Sequence, residues 1–163
     1  MICKLTNVDF QDILTVVNDA AVVYKGRIPK DRWKVPYMPA QELEEELRRG
    51  VQFYGLKEKG TLIAAMGIQR VEDVTLIRHA YVLPSEQRKG LGQKLLKYLL
   101  GLAATPVIYV GTWKAADWAV RFYDKNGFKL VSEAEKNMLL RNYWRISDRQ
   151  VETSVVLKME RQL

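Results

Sequence analysis

The chain has 163 residues, of which 48% are hydrophobic and 28% charged, and its formal net charge is +7. This composition is typical of a water-soluble globular protein, so we expect a single domain over residues 1–163, a cytoplasmic location and no membrane partner. One cysteine excludes an intrachain disulfide, and one cysteine with one histidine excludes the usual zinc sites, so no metal is expected.

Strand and helix patterns alternate through the first part of the chain. Residues 2–6 predict a short strand, and the apolar spacing that follows predicts a helix running to about Tyr24. A loop rich in proline, 25–39, separates it from a short helix over 39–50 whose acidic residues come early and basic residues late. Because long ordered loops often carry function, 25–39 is a candidate functional segment.

Three extended segments at 51–58, 61–71 and 74–83 follow, separated by breaks of hairpin length. The helix predicted over 90–103 has leucines at helical spacing. The remaining elements are expected to be a strand at 106–111, a helix at 115–126, a strand at 128–131, a helix at 133–143 and a strand at 152–159. This order predicts an α/β fold in which helices pack on a mixed sheet.

The loop 84–92 joins the strand that ends at Pro84 to the next helix, and its composition suits an anionic ligand. A helix N-terminus has unpaired N–H groups and a positive dipole end, which favour phosphate. Gly90 and Gly92 let a ligand approach the backbone, and Arg88 and Lys89 add positive charge. The dinucleotide and P-loop fingerprints are both incomplete, and a plain glycine-containing turn is the alternative.

Two motifs resemble the signatures of the GNAT superfamily of N-acyltransferases. The stretch "QRKGLG", Gln87 to Gly92, is similar to the acetyl-CoA loop Q/R-x-x-G-x-G/A, and "YVLP" before it resembles the V-x-P strand end. Further on, "WAVRFYDKNGF", 118–128, looks like the second signature, A-x-x-F-Y-x-x-x-G-F. The resemblance covers nearly the whole chain. It implies a GNAT-like fold with a mixed, mainly antiparallel sheet splayed at its central strands and helices on both faces.

The resemblance implies acetyl-CoA as cosubstrate. Its pantetheine arm would bond to the main chain of Tyr81, Val82 and Leu83, and an N–H near Val82 would polarise the thioester carbonyl. The pyrophosphate would lie on the loop, whose expected contacts are Gln87, Arg88, Lys89, Gly90, Leu91, Gly92 and Gln93. Many relatives place an asparagine where this chain has Ala116, so Thr112 or Lys114 is expected to supply that contact.

The reaction implied is direct attack of a neutral amine on the thioester, which needs a base, an oxyanion donor and an acid. Tyr123 stands where the family has its tyrosine acid, with a core aromatic as the alternative. Relatives often carry a carboxylate where this chain has Arg78 and His79. Since imidazoles titrate near neutral pH, His79 could be the base, and a structural histidine is the alternative. Arginine cannot act as a base.

In the family, the first two helices, their loop and the last strands form the acceptor site. The corresponding residues of this chain are Tyr24, Arg27, Ile28, Trp33, Tyr37, Tyr143 and Trp144. Aromatic groups beside basic ones, with Arg78 if it faces the cleft, would suit an amine with a hydrophobic body and an anionic end. The alternative is that these aromatics only hold the long loop against the core.

The leading hypothesis is an acetyl-CoA-dependent N-acetyltransferase acting on a primary amine of a small molecule or peptide. The absence of a carboxylate at positions 78 and 79 motivates an alternative, a non-catalytic acyl-CoA-binding regulatory module. Nucleic-acid binding, raised by the charge of +7, is not expected because no helix has a concentrated basic face. A homodimer is a common outcome for such chains.

Overall fold

The computed structural model describes all 163 residues, and its centre is one seven-stranded mixed sheet. The strands are β1 (Ile2–Lys4), β2 (Gln52–Glu58), β3 (Thr61–Val71), β4 (Val74–Val82), β5 (Val107–Trp113), β6 (Lys129–Leu130) and β7 (Ser154–Glu160). Their spatial order is β1-β2-β3-β4-β5-β7-β6. Every neighbouring pair is antiparallel except β4 and β5, which are parallel.

The helices are α1 (Phe10–Ala20), α2 (Ala40–Arg48), α3 (Leu91–Leu102), α4 (Asp117–Lys125), α5 (Glu133–Tyr143) and α6 (Asp148–Glu152). Short 3-10 turns occupy Asn7–Asp9, Ala21–Tyr24, Lys30–Arg32 and Pro84–Glu86. None of the helices combines the length and the hydropathy that crossing a bilayer would require.

Helices cover both faces of the sheet because successive strand residues point to opposite sides. On β3, Leu62 enters the core formed with α1 and α2, whereas its neighbour Ile63 enters the core formed with α3. The α3 side is filled by Leu95, Leu96 and Leu99, all fully buried. The predicted α/β fold, with a mainly antiparallel mixed sheet and helices on both faces, is therefore confirmed.

Several predicted element boundaries differ from the structure by about two residues or more, and two of them have a clear local cause. The helix expected to reach Tyr24 leaves α geometry at Ala20 and continues as a 3-10 turn. The strand expected from residue 152 begins at Ser154, because α6 precedes it. The side chain of Ser147 caps α6 by accepting a hydrogen bond from the Gln150 N–H at 3.2 Å, which stabilises a helix too short for a clear apolar pattern.

The predicted splay of the central strands is present between β4 and β5. These strands pair only as far as Ile77 and Val110. Beyond that point β4 contains a bulge in which His79 and Ala80 lie opposite the single residue Met66 of β3. The backbone of His79 is left-handed there, with φ of 54°. Since bulges bend a strand and redirect its side chains, this one opens a cleft in the middle of the sheet.

Candidate active site

The cleft between the diverging ends of β4 and β5 brings together side chains that the sequence had marked from distant positions. A cavity of about 150 Å³ occupies it. Its lining includes Tyr24 from the first 3-10 turn after α1, Arg78, His79 and Tyr81 from β4, and Tyr123 from α4. Both predicted catalytic residues therefore face the same space as four of the predicted acceptor residues: Tyr24, Tyr37, Arg78 and Trp144.

Tyr123 is held rigidly in an apolar setting at the cleft. Its side chain is 5% exposed and makes edge-to-face contacts with the rings of Phe122 and Phe128, at centroid distances of 5.1 and 5.7 Å. Burial raises the pKa of the Tyr123 hydroxyl, and the nearby Tyr24 hydroxyl adds to the effect. The phenol is therefore protonated at neutral pH, which is the form that an acid needs.

A carboxylate that the sequence had not singled out also lies beside the cleft. Glu46 of α2 is 7% exposed. Its Oε2 atom is 2.8 Å from Nη1 of Arg78 and 3.4 Å from Nε2 of His79. The sequence feature that could have identified Glu46 is its position three residues after Leu43, which places both side chains on the buried side of α2.

Glu46 is ionised at neutral pH even though it is buried. Burial by itself would raise the pKa of its carboxyl, but the interaction with His79 and the charge of Arg78 outweigh burial and lower the pKa below its ordinary value. Arg78 is also held by Gln69, which accepts a hydrogen bond from Nη1 at 3.1 Å. The guanidinium of Arg78 is thus engaged with groups of the chain, and its predicted contact with the acceptor stays a prediction.

His79 is placed by its backbone and its ring rather than by strong hydrogen bonds. Its ring stacks on Phe53 at 5.9 Å, and its side chain keeps 18% of its exposure. His79 Nε2 and Glu46 Oε2 are buried and face each other, yet neither forms a hydrogen bond of good geometry. Buried polar atoms are nearly always hydrogen-bonded, so both atoms of this pair have unused hydrogen-bonding capacity at the cleft.

Glu46 is expected to make the fold sensitive to acid. Because its folded-state pKa is lowered, its stabilising effect is complete above about pH 4.5 and is lost as the pH falls through the lower folded value. Replacing it by leucine leaves the buried Arg78 without its counter-ion and is expected to cost about 3 kcal/mol of unfolding free energy at pH 7.

Urea unfolding between pH 3 and 7 measures both effects. The wild-type protein is expected to lose more stability over the acid range than Glu46→Gln, which has no carboxyl to titrate. Glu44→Gln is the matched control, since Glu44 is an exposed residue of the same helix. Equal acid sensitivity of wild type and Glu46→Gln would contradict the assignment.

An aromatic wall, defined here as Tyr24, Tyr37, Tyr81, Trp113 and Trp118, forms one side of the cleft. The ring of Tyr24 lies 5.4 to 6.4 Å from those of the other four. Trp113 Nε1 donates a hydrogen bond of 2.7 Å to the Tyr37 hydroxyl. Burial raises the pKa of each of the three tyrosines, so their hydroxyls are uncharged donors at neutral pH.

The other predicted acceptor residues divide into those that line the cleft and those that support it. Trp144 lines the cavity. Trp33 stacks on Tyr37 at 5.9 Å, and the Arg27 guanidinium lies 5.2 Å from the ring of Trp118, so both contact the aromatic wall from outside. The last two lie away from the opening: Ile28 is buried beside the wall, and Tyr143 stacks on Tyr109.

The predicted cofactor loop has the geometry of an anion cradle. The N–H groups of residues 88–93 take no part in the hydrogen bonds of the chain. Gly90 precedes α3 with φ of 76°, and Arg88 is also left-handed with φ of 66°. Gln87 donates a hydrogen bond of 3.2 Å to the carbonyl of Val82, which ties the loop to the end of β4. These unpaired amides fit a pyrophosphate group.

The two candidates for the contact that replaces the usual asparagine, Thr112 and Lys114, occupy different positions in the structure. Ala116 is fully buried and offers no polar group. Thr112 lines the cavity, whereas Lys114 extends to within 3.9 Å of Glu133 on α5. The position of Thr112 favours it for this contact.

Comparison with known proteins gives the same family as the motifs. The model of the acetyltransferase (GNAT) family matches residues 18–128, more than half of the chain. The chain therefore belongs to the GNAT acetyltransferase family and is an acyltransferase. A curated relative, N-alpha-acetyltransferase RimI of Mycobacterium tuberculosis, is 29% identical over 116 residues, which cover 69% of this chain and 70% of that protein.

Solved structures support the fold. The PaiA N-acetyltransferase of Thermoplasma acidophilum, in complex with coenzyme A, superposes with a TM-score of 0.76 at 16% identity, over 98% of each chain. The ribosomal-protein-S18-alanine N-acetyltransferase of Escherichia coli superposes with a TM-score of 0.69 at 14% identity, over 100% of this chain and 94% of that one.

Proposed function

We propose that this protein transfers the acetyl group of acetyl-CoA to a primary amine of a peptide or small molecule, within one domain spanning residues 1–163. The observation that carries the proposal is that His79 and Tyr123 line one cleft, with the Glu46 carboxylate 3.4 Å from His79 Nε2. The 29% identity to an N-alpha-acetyltransferase favours the α-amine of a peptide as the acceptor.

The edge of the cleft suits a CoA thioester. Beyond Ile77 the main chain of β4, including Tyr81 and Val82, has no strand partner on the side of β5. A pantetheine arm can take that place, with Leu83 at its outer end, and an N–H near Val82 would polarise the thioester carbonyl. The amides of residues 88–93 would bind the pyrophosphate, with Arg88 and Lys89 contributing charge. The Lys89 ammonium is 2.6 Å from Glu86, so Arg88 is the freer cation.

The cleft supplies a proton acceptor and a proton donor for acyl transfer. The neutral amine forms a bond to the acetyl carbon, the carbon–sulfur bond breaks, and the sulfur leaves as a thiolate. His79 takes the proton that the amine gives up, and the Glu46 carboxylate stabilises the imidazolium that results. Tyr123 gives its proton to the thiolate, which requires close approach because a phenol is a weaker acid than a thiol.

The test is calorimetry with acetyl-CoA, followed by a thiol-release screen over an amine library. We expect binding in the micromolar range and release of CoA only when an acceptor is present. No binding at millimolar acetyl-CoA would reject the proposal. Binding without transfer to any amine would instead support the alternative of a non-catalytic acyl-CoA-binding module.

Gly90→Ala is expected to weaken CoA binding several-fold. A Cβ atom at this position meets nothing within 4 Å, so the cost is conformational: a φ of 76° costs an L-residue roughly 1 kcal/mol. Relief of that strain would rotate the loop amides away from the phosphate. Calorimetry with CoA measures the effect. Gly101→Ala on the same helix is the control, because Gly101 also has open space but no positive φ. Equal affinity of both variants would contradict the role of Gly90.

A further inference from the structure

The cleft continues into a second cavity that lies beside the acceptor elements. This cavity, of about 250 Å³, shares seven lining residues with the cleft: Tyr37, Arg78, His79, Tyr81, Trp113, Ile146 and Gln150. Its other lining residues come from the 25–39 loop, from α2 and from the segment after α5. None of the cofactor-loop residues lines it. We therefore call it the acceptor cavity, since an acceptor placed there reaches His79 from the side away from that loop.

The acceptor cavity contains more positive than negative charge. Each of its three carboxylates already has a basic partner: Glu42 with Lys34 at 3.9 Å, Glu45 with Arg49 at 3.1 Å, and Glu46 with Arg78 at 2.8 Å. Two further arginines, Arg32 and Arg145, also line the cavity and form no ion pair. The cavity therefore presents two uncompensated cations to whatever enters it.

Arg32 is held in position without a hydrogen-bond acceptor. Its Nε atom is buried and has no partner, and its guanidinium lies 5.9 Å from the ring of Trp113. The neighbouring Asp31 forms two hydrogen bonds with Arg149, at 2.9 and 3.0 Å, which fix the turn that carries Arg32. A buried charged donor that is ordered but unpaired needs an acceptor from elsewhere.

We propose that the acceptor carries a carboxylate close to its amine, as an acidic residue near the amino end of a peptide, and that Arg32 and Arg145 bind it. Arginine presents paired donors that match a carboxylate, so the two cations would select acidic peptides over neutral ones of the same shape. Tyr37 and Trp113 also line this cavity and would pack on the part of the peptide between the amine and the carboxylate. The inference rests on the proposed acetyl transfer and specifies its substrate class.

A matched peptide series tests the proposal. Each peptide has alanine at its amino end and a neutral body, with aspartate or asparagine placed at the second, third or fourth position. We expect at least one position at which the aspartate peptide has a kcat/KM about tenfold or more above its asparagine partner, the usual effect of one charged hydrogen bond. Rates should converge as ionic strength rises, because part of the attraction is screened.

Variants locate the preference in the cavity. Arg32→Gln and Arg145→Gln are each expected to reduce the ratio of aspartate to asparagine turnover towards one. Arg141→Gln removes the same charge from the exposed side of α5, outside the cavity, and is expected to keep the wild-type ratio. Equal turnover of both peptides at every position, faster turnover of the asparagine peptides, or an unchanged ratio in both cavity variants would overturn the proposal.

Calorimetry of the peptides with the CoA-bound protein separates this proposal from the one on which it rests. Tighter binding of an aspartate peptide than of its asparagine partner, without acetyl transfer, would support the carboxylate site and reject the proposed activity. Acetylation of aspartate and asparagine peptides with equal affinities and equal rates would support the proposed activity and reject the carboxylate site.

Discussion

Tyr123→Phe is expected to lower kcat for acetyl transfer about 100-fold, the low end of the range for loss of a positioned acid. The substitution removes one hydroxyl and keeps the ring that packs on Phe122 and Phe128. Since burial keeps the phenol protonated, the loss reflects the missing proton rather than a changed charge. The dissociation constant for CoA, measured by calorimetry, is expected to change little.

Tyr109→Phe is the matched control for that experiment. Tyr109 is a buried tyrosine of β5 that belongs to a different core, with Leu139 and Trp144, and it does not line the cleft. The same chemical change there is expected to leave kcat within about twofold of wild type. If Tyr123→Phe keeps the wild-type rate over the full pH range, the hydroxyl does not protonate the leaving thiolate.

The parts of the site that sequence could predict are those built from local chain. The turn from β4 through Gly90 into α3 needs a strand end, a proline, glycine and a helix start, and all four are contiguous in the sequence. Tyr123 lies in a motif that ends at Phe128, and the two rings touch in the structure. Local patterns of this kind determine the backbone conformation directly, so predictions made from them do not depend on contacts between distant residues.

The proposed proton-accepting pair, His79 and Glu46, could not be predicted because its members come together only in the folded chain. Glu46 and Arg78 are separated by 32 positions, and nothing in the helix 39–50 distinguishes Glu46 from the other acidic residues around it except its spacing from Leu43. The left-handed backbone of His79 could not be predicted from the sequence either, since it arises from the shift in register between β3 and β4. The carboxylate beside the cleft therefore lies on α2 and not on β4, where the family resemblance places it.

His79→Asn is expected to lower kcat/KM at pH 7 about 100-fold, because the attacking amine then has no positioned proton acceptor. Asparagine is chosen because it tolerates the left-handed backbone that this position requires, with φ of 54°. Steady-state kinetics measure the effect, and circular dichroism verifies that the variant is folded.

The rate of the folded variant separates a general base from a structural histidine. Replacing a structural histidine would lower the stability of the fold but would leave kcat/KM of the folded protein close to the wild-type value. A wild-type rate in a folded His79→Asn variant would therefore assign the base to another group. Glu46 would then be the first candidate, because its carboxylate lies 3.4 Å from His79 Nε2.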